Sequence, residues 1–150
     1  MKKQWNIRKA QNKDSSGLQN CMESAYSLYQ SRMGGNRLPP MDVDYALEIK
    51  DYPCWVAEHE GKIVGGLIMM FDKEHASIAN IAVHPEFQGQ GLGGGLMRFA
   101  ENIAKEMNFS QLQLATHVLL TENISLYLHL GWLEVDRDDV RVYFKKEIIQ

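Results

Sequence analysis

A mixed α/β fold is what this sequence predicts, and three observations predict it. Stretches with apolar residues at helical spacing are interleaved with short stretches that alternate apolar and polar residues. A glycine-dense run, "HPEFQGQGLGGGLM" (84–97), joins a strand-like stretch to a helix-like one. With 150 residues, 45% of them hydrophobic and 23% charged, the chain has the size and composition of one globular domain, 1–150.

The elements follow in order. "WNIRKA" (5–10) alternates and reads as a first strand. "DSSGLQNCMESAYSLYQSRM" (14–33) places Leu18, Cys21, Met22, Ala25, Leu28 and Tyr29 at helical spacing, with Ser15 or Ser16 as cap. "GGNRLPP" (34–40) breaks that helix. "MDVDYALEIKD" (41–51) is a short second helix whose acids suit the dipole of its first turn. "CWVAEHE" and "GKIVGGLIMMFD" form a hairpin with Glu60-Gly61 in the turn, and "HASIANIAV" is a fourth strand. After the glycine run, Leu96, Phe99, Ala100, Ile103 and Met107 mark one helix face. "SQLQLATH" is a fifth strand. "TENISLYLHLGW" is a helix capped near Thr121 and closed by Gly131, and "LEVDR" and "RVYFKKEI" finish the sheet.

Charge and composition exclude several classes. A net charge of −3 offers nothing to nucleic acid or an anionic membrane surface. There is no run of about 18 apolar residues and no apolar stretch behind the N-terminal lysines, so neither a membrane span nor a signal peptide is expected. Cys21 and Cys54 make no disulfide framework; they read as buried, reduced thiols of a cytoplasmic protein. No metal site is read from the sequence.

The glycines raise the functional question. Each costs a helix interior about 1 kcal/mol relative to alanine, yet Gly89, Gly91, Gly93, Gly94 and Gly95 crowd a helix start. A strand, a glycine loop and a helix N-terminus together make an anion site, because free backbone N–H groups and the helix dipole point the same way. "GQGLGG" formally matches the dinucleotide fingerprint, but the next strand ends "LATH", without the acid that would hold a ribose. The lysine of a phosphate-binding P-loop is also missing.

A better match is Val-x-Pro-x-x-Gln-x-x-Gly-x-Gly, here Val83, Pro85, Gln88, Gly91 and Gly93. This resembles the acyl-CoA motif of the GNAT superfamily of N-acetyltransferases, and the element order above is that family's order. "ENISLYLHLGW" is similar to a second motif of the family, a helix ending in Gly-Phe. "SRMGGNRLPPMDVDY" and "LATHVLLTENISLY" are similar to segments of uncharacterised bacterial members, with Leu114-Ala115 where those have Leu-Tyr. The resemblance implies a mainly antiparallel sheet of about seven strands with about four helices. It also implies a cleft where the fourth and fifth strands splay.

Carried over residue by residue, the resemblance assigns acetyl-CoA as cosubstrate. Backbone groups of Ile81, Ala82 and Val83 would hold its pantetheine arm, while their side chains pack in the core. Amides of Gln88, Gly89, Gln90, Gly91, Leu92, Gly93 and Gly94 would hold its pyrophosphate. Asn123 would lie near the pantetheine and Tyr127 near the thioester sulfur. A phenol there can protonate the departing thiolate. The fourth strand has no carboxylate to act as base, and Asn80 could at most orient a water. His117 is a candidate base, since imidazole titrates near neutrality; a water chain to bulk solvent is the alternative. The first two helices and their loop should form the acceptor site, to which Arg37, Asp42, Asp44 and Tyr45 would contribute. Asp42 and Asp44 would offer an acidic wall to a cationic amine or, as the stronger expectation, are the ordinary first-turn acids of a solvated helix start.

The implied activity is direct transfer of an acetyl group to a primary amine of an unidentified acceptor. An acyl-CoA-binding sensor or regulatory domain on the same fold is the alternative. A homodimer through the last strand is possible if that strand is a sheet edge.

Overall fold

The alternating segments pair into one seven-stranded sheet in the computed structural model, which describes residues 4–148. Met1, Lys2 and Lys3, with two of the N-terminal lysines, lie outside the described residues. In chain order the elements are β1 (Asn6–Lys9), α1 (Ser15–Ser27), α2 (Tyr45–Asp51), β2 (Cys54–His59), β3 (Lys62–Phe71), β4 (Ala76–Val83), α3 (Leu92–Glu106), β5 (Gln111–His117), α4 (Thr121–His129), β6 (Leu133–Arg137) and β7 (Arg141–Glu147). The strand order is β1-β2-β3-β4-β5-β7-β6. Every neighbouring pair is antiparallel except β4 and β5.

The β2–β3 hairpin closes through Glu60 at φ 49° and Gly61 at φ 80°. Both central residues have positive φ, the twist that a two-residue hairpin turn needs. Farther along β3, Gly65 and Gly66 let helices approach both faces of the sheet. A Cβ at 65 would meet Leu96 Cδ1 of α3 at 3.2 Å, and one at 66 would meet Leu18 Cδ1 of α1 at 2.5 Å. One core therefore joins α3 and α4 to the sheet through Leu92, Leu96, Met97, Ala100 and Tyr127. The other packs α1 and α2 on the opposite face through Leu18, Met22, Ala25 and Tyr45. Cys21 and Cys54 are buried and free, as expected.

Several boundaries differ from the sequence reading. The position before α1 is held by Asp14, not Ser15 or Ser16, and no side chain caps the helix. The Asp14 carboxylate is committed elsewhere: it accepts from Arg8 Nη1 at 2.8 Å and from the Gln11 amide at 2.7 Å. Because α1 stops at Ser27, Leu28 leaves the apolar face and is exposed. Met107 is exposed for the same reason, one residue past α3. Thr121 opens α4, but its hydroxyl donates to the carboxylate of Glu122 rather than capping the helix.

The last strand is not a sheet edge. β7 lies between β5 and β6, paired on both sides, so a homodimer cannot form by adding a strand to it. The sequence shows an alternating segment but not its neighbours in the sheet.

The geometry that matters for function lies at β4. Its ladder to β3 runs Ile68↔Asn80 and then Met69↔Ile78, leaving Ala79 as an extra residue. Such a bulge bends a strand and increases its twist. On its other side β4 pairs with β5 only at Ala76↔Leu112 and Ser77↔Gln113. Beyond those two pairs the strands part, and the gap opens toward the glycine loop.

Candidate functional site

The parting of β4 from β5 leaves two cavities that meet. The smaller, about 320 Å³, runs from the glycine loop along β4 to α4. The larger, about 840 Å³, continues on the β5 side and is roofed by the segment between α1 and α2. Four residues line both: Tyr26, Ile81, Asn123 and Tyr127.

Most of the expected site residues come together in the smaller cavity. Ile81, Ala82 and Val83 form one wall. Gln88, Gly89, Gly91, Gly93 and Gly94 form the floor, and Asn123 and Tyr127 close the far end. Three of the expected residues do not line it. The Gln90 side chain turns back to donate to the Glu86 carbonyl at 3.0 Å. Leu92 is fully buried against the sheet and anchors the helix start. His117 lines the larger cavity instead.

The floor owes its form to two glycines with positive φ, Gly89 at 75° and Gly91 at 92°. A side chain there would strain the backbone. A Cβ built at either meets nothing within 4 Å, so the space above the loop is open. Leu92, Gly93 and Gly94 are the first turn of the fifteen-residue α3, where amides have no carbonyl of their own helix to bond. The Gly95 amide is the first to close onto the helix, bonding Gly91 O at 2.9 Å. A Cβ at Gly94 would lie 3.3 Å from an Arg98 guanidinium nitrogen, so a cation also sits beside the loop. Sequence reasoning missed Arg98; its position one turn into α3, after Gly94, was the available signal.

Tyr127 is buried, with its ring edge-on to Phe144 at 5.6 Å and tilted against Trp132 at 6.2 Å. Burial pushes its phenol above the usual tyrosine range, so it stays protonated across ordinary pH. Asn123 precedes it by one turn, on the same face of α4.

Tyr26 falls within the segment 14–33 that the sequence predicts as a helix, but off its named apolar positions. Its hydroxyl in fact reaches Ile81 O at 3.2 Å and Asn80 Oδ1 at 3.3 Å, where the two cavities join. Asn80 Nδ2 in turn donates to the Tyr45 hydroxyl at 3.2 Å, and that hydroxyl donates to Pro40 O. The signal in the sequence was a polar-tipped aromatic just after Ala25, at the margin of the apolar stripe.

The expected acidic wall is not there. Asp44 caps α2, accepting from the Ala46 amide at 3.1 Å. Asp42 pairs with Arg37 at 2.7 Å, and Tyr45 is buried. Of those four residues only Arg37 lines the larger cavity. First-turn acids of a short helix satisfied local partners, which the sequence could not distinguish from a ligand wall. His117 accepts the Leu119 amide on Nδ1 at 3.1 Å, so its neutral ring carries its proton on Nε2. Among the described residues no group of three or more His, Cys, Asp or Glu is placed to hold a metal ion, and no helix is long and apolar enough to cross a membrane.

Comparison with known proteins agrees with this geometry. A model of the acetyltransferase (GNAT) family matches residues 22–132. Over 86 residues the chain is 34% identical to the uncharacterized N-acetyltransferase YjgM of Escherichia coli (strain K12), covering 55% of this chain and 52% of that protein. Over 70 residues it is 34% identical to the uncharacterized N-acetyltransferase ycf52 of Gracilaria tenuistipitata var. liui, covering 47% of this chain and 36% of that one. The chain thus spans about half the length of the first relative and about a third of the second. Among solved structures, the PaiA N-acetyltransferase of Thermoplasma acidophilum in complex with coenzyme A superposes with a TM-score of 0.85 at 18% identity, covering 96% of this chain and 99% of that one. At that identity the likeness is one of fold.

Proposed function

Because the chain belongs to the acetyltransferase (GNAT) family, we propose that it transfers the acetyl group of acetyl-CoA directly to a primary amine. One observation carries the reading: a side-chain-free glycine floor and a buried, protonated tyrosine stand at opposite ends of one cleft. The floor suits a pyrophosphate and the tyrosine suits a leaving thiolate.

The residues divide the work along the cleft. Backbone amides from Gln88 through Gly89, Gln90, Gly91, Leu92, Gly93 and Gly94 bind the pyrophosphate, with Arg98 adding charge beside them. Backbone groups of Ile81, Ala82 and Val83, left without a β5 partner, bind the pantetheine arm as a neighbouring strand would. Asn123 orients the thioester end. The amine, bound in the larger cavity, attacks the thioester carbon as the carbon–sulfur bond breaks. Tyr127 gives its proton to the departing sulfur and recovers one from water, while the amine's surplus proton leaves by the same water chain to bulk solvent. His117 lines the larger cavity and, with Nδ1 accepting from the Leu119 amide, carries its proton on Nε2, which fits it to donate to the acceptor rather than to take a proton. Two buried, free thiols fit a reducing cytoplasm as the place of action.

Calorimetric titration with acetyl-CoA, with NAD as control, tests the donor. Selective binding at micromolar levels followed by CoA release on an amine panel supports acetyl transfer. Binding without release on any amine points to an acyl-CoA-binding domain. No binding of acetyl-CoA overturns the reading.

A further inference from the structure

The charges around the larger cavity are one-sided. Arg32, Arg37, Arg141 and His117 line it, and no Asp or Glu among the described residues does. Two of the arginines are held by carboxylates that lie outside this lining. Arg32 forks onto Glu122 at 2.6 and 2.8 Å, and Arg37 bonds Asp42 at 2.7 Å and Glu23 at 2.8 Å. The guanidinium of Arg141 forms no ion pair among the described residues. Asp138 accepts from the Arg141 backbone amide at 2.7 Å and its charge acts on the guanidinium, but of the three arginines lining the cavity Arg141 is the one whose guanidinium bonds no carboxylate among the described residues.

Arg141 also has a companion. It stands directly opposite His117 in the β5–β7 ladder. Directly opposed residues of an antiparallel pair share a face, and both residues line the same cavity. With Nδ1 occupied by the Leu119 amide, the His117 ring offers Nε2–H as a donor. A guanidinium fork and an imidazole N–H side by side suit a carboxylate, which can accept from both. The rest of the wall is largely apolar, with Met33, Leu38, Val43, Ile78, Leu114 and Leu120.

We propose that the acceptor is an amine with an apolar body and a carboxylate, the carboxylate held by Arg141 and His117 at the β5–β7 end of the larger cavity. This rests on the acetyl-transfer reading for the identity of the cavity as the acceptor site. A polyamine, the occupant an acidic wall would suit, meets three arginines and no carboxylate in this lining.

The test is calorimetric binding of two matched pairs of probes to the full chain: leucine against leucinamide, and 6-aminohexanoate against hexylamine, with spermidine as the cationic comparison. Leucinamide also stands for a peptide N-terminus. In at least one pair the carboxylate member should bind about tenfold or more tightly than the partner that lacks the carboxylate, the scale of a charge-assisted pair. Arg141→Gln should erase that preference, and Arg141→Lys should restore part of it. Arg141 is exposed at a strand start, and an unchanged thermal midpoint verifies folding of both variants. Equal binding within both pairs, no binding of either carboxylate, preference for spermidine, or an undiminished preference in Arg141→Gln each overturns the proposal. Acetyl-CoA titration of the same samples separates the two readings. If acetyl-CoA fails to bind, acetyl transfer falls whatever the amino acids do; if it binds and the carboxylate preference is absent, only the acceptor class falls.

Discussion

Tyr26 on α1 donates its hydroxyl to the carbonyl of Ile81 on β4 at 3.2 Å, and both residues line both cavities. A helix on one face of the sheet is thereby tied to the strand that has lost its β5 neighbour, at the point where donor and acceptor would meet. Tyr26→Phe removes the donor and leaves Ile81 O and Asn80 Oδ1 without it. Urea unfolding should show a loss of about 1 kcal/mol, the net worth of a typical hydrogen bond. Acetyl-CoA affinity should fall along with it. Unchanged affinity would mean that the bond does not order the cleft.

The glycine floor is best probed at Gly93. Gly91 has φ 92°, so a side chain there strains the backbone and confounds folding with binding. A Cβ at Gly93 meets Val83 Cγ2 at 3.9 Å, an ordinary contact. Gly93→Ala should therefore fold as well as the parent or better, by about 0.5–1 kcal/mol from helix propensity. Gly93→Glu should also fold, yet weaken acetyl-CoA about tenfold or more by repelling the pyrophosphate. Calorimetry on the pair separates charge from bulk.

Tyr127→Phe should lower kcat by about 10²–10⁴-fold, the usual worth of a positioned proton donor, with KM for acetyl-CoA little changed. A stopped-turnover assay of CoA release measures it. Burial holds the phenol above its ordinary range, so the parent's activity should show no loss from tyrosine ionisation between pH 7 and about pH 10. A variant as active as the parent would remove Tyr127 from the chemistry.

Stability should fall on the alkaline side. Burial pushes the thiols of Cys21 and Cys54 up to about 12, from 9.0 when unburied. Tyr26, Tyr45 and Tyr127 are raised for the same reason. Each raised group binds its proton more tightly folded than unfolded. Its contribution is whole below the unfolded value and is lost as pH climbs toward the folded one. The unfolding free energy from urea titrations should therefore hold to about pH 8.5 and fall from pH 9 to 11, by up to about 1.4 kcal/mol per group per pH unit. The Cys21→Ala, Cys54→Ala double variant should fall less steeply over the same range.

Much of this protein was legible because its signals are local. Alternation in "HASIANIAV" and helical spacing through Leu96, Ala100 and Ile103 marked β4 and α3 nearly at their true bounds. The misreadings fell where a side chain had more than one available partner. Asp42 and Asp44 read as free first-turn acids, and each is taken up by an arginine or by a backbone amide. His117 was visible as a residue at a strand end, but which of its nitrogens was occupied depended on the turn to Leu119.

By itself the sequence determined the order of elements and the glycine loop, since periods of 2 and 3.6 residues and the positive-φ freedom of glycine are properties of a few neighbouring residues. Only the tertiary structure decided that β7 inserts beside β5, that β4 parts from β5 after Ser77, that Tyr26 reaches Ile81, and that cations line the larger cavity. Each of those depends on pairing register and on contacts between residues far apart in the chain, such as Tyr26 and Ile81, and no local period encodes which distant segments meet.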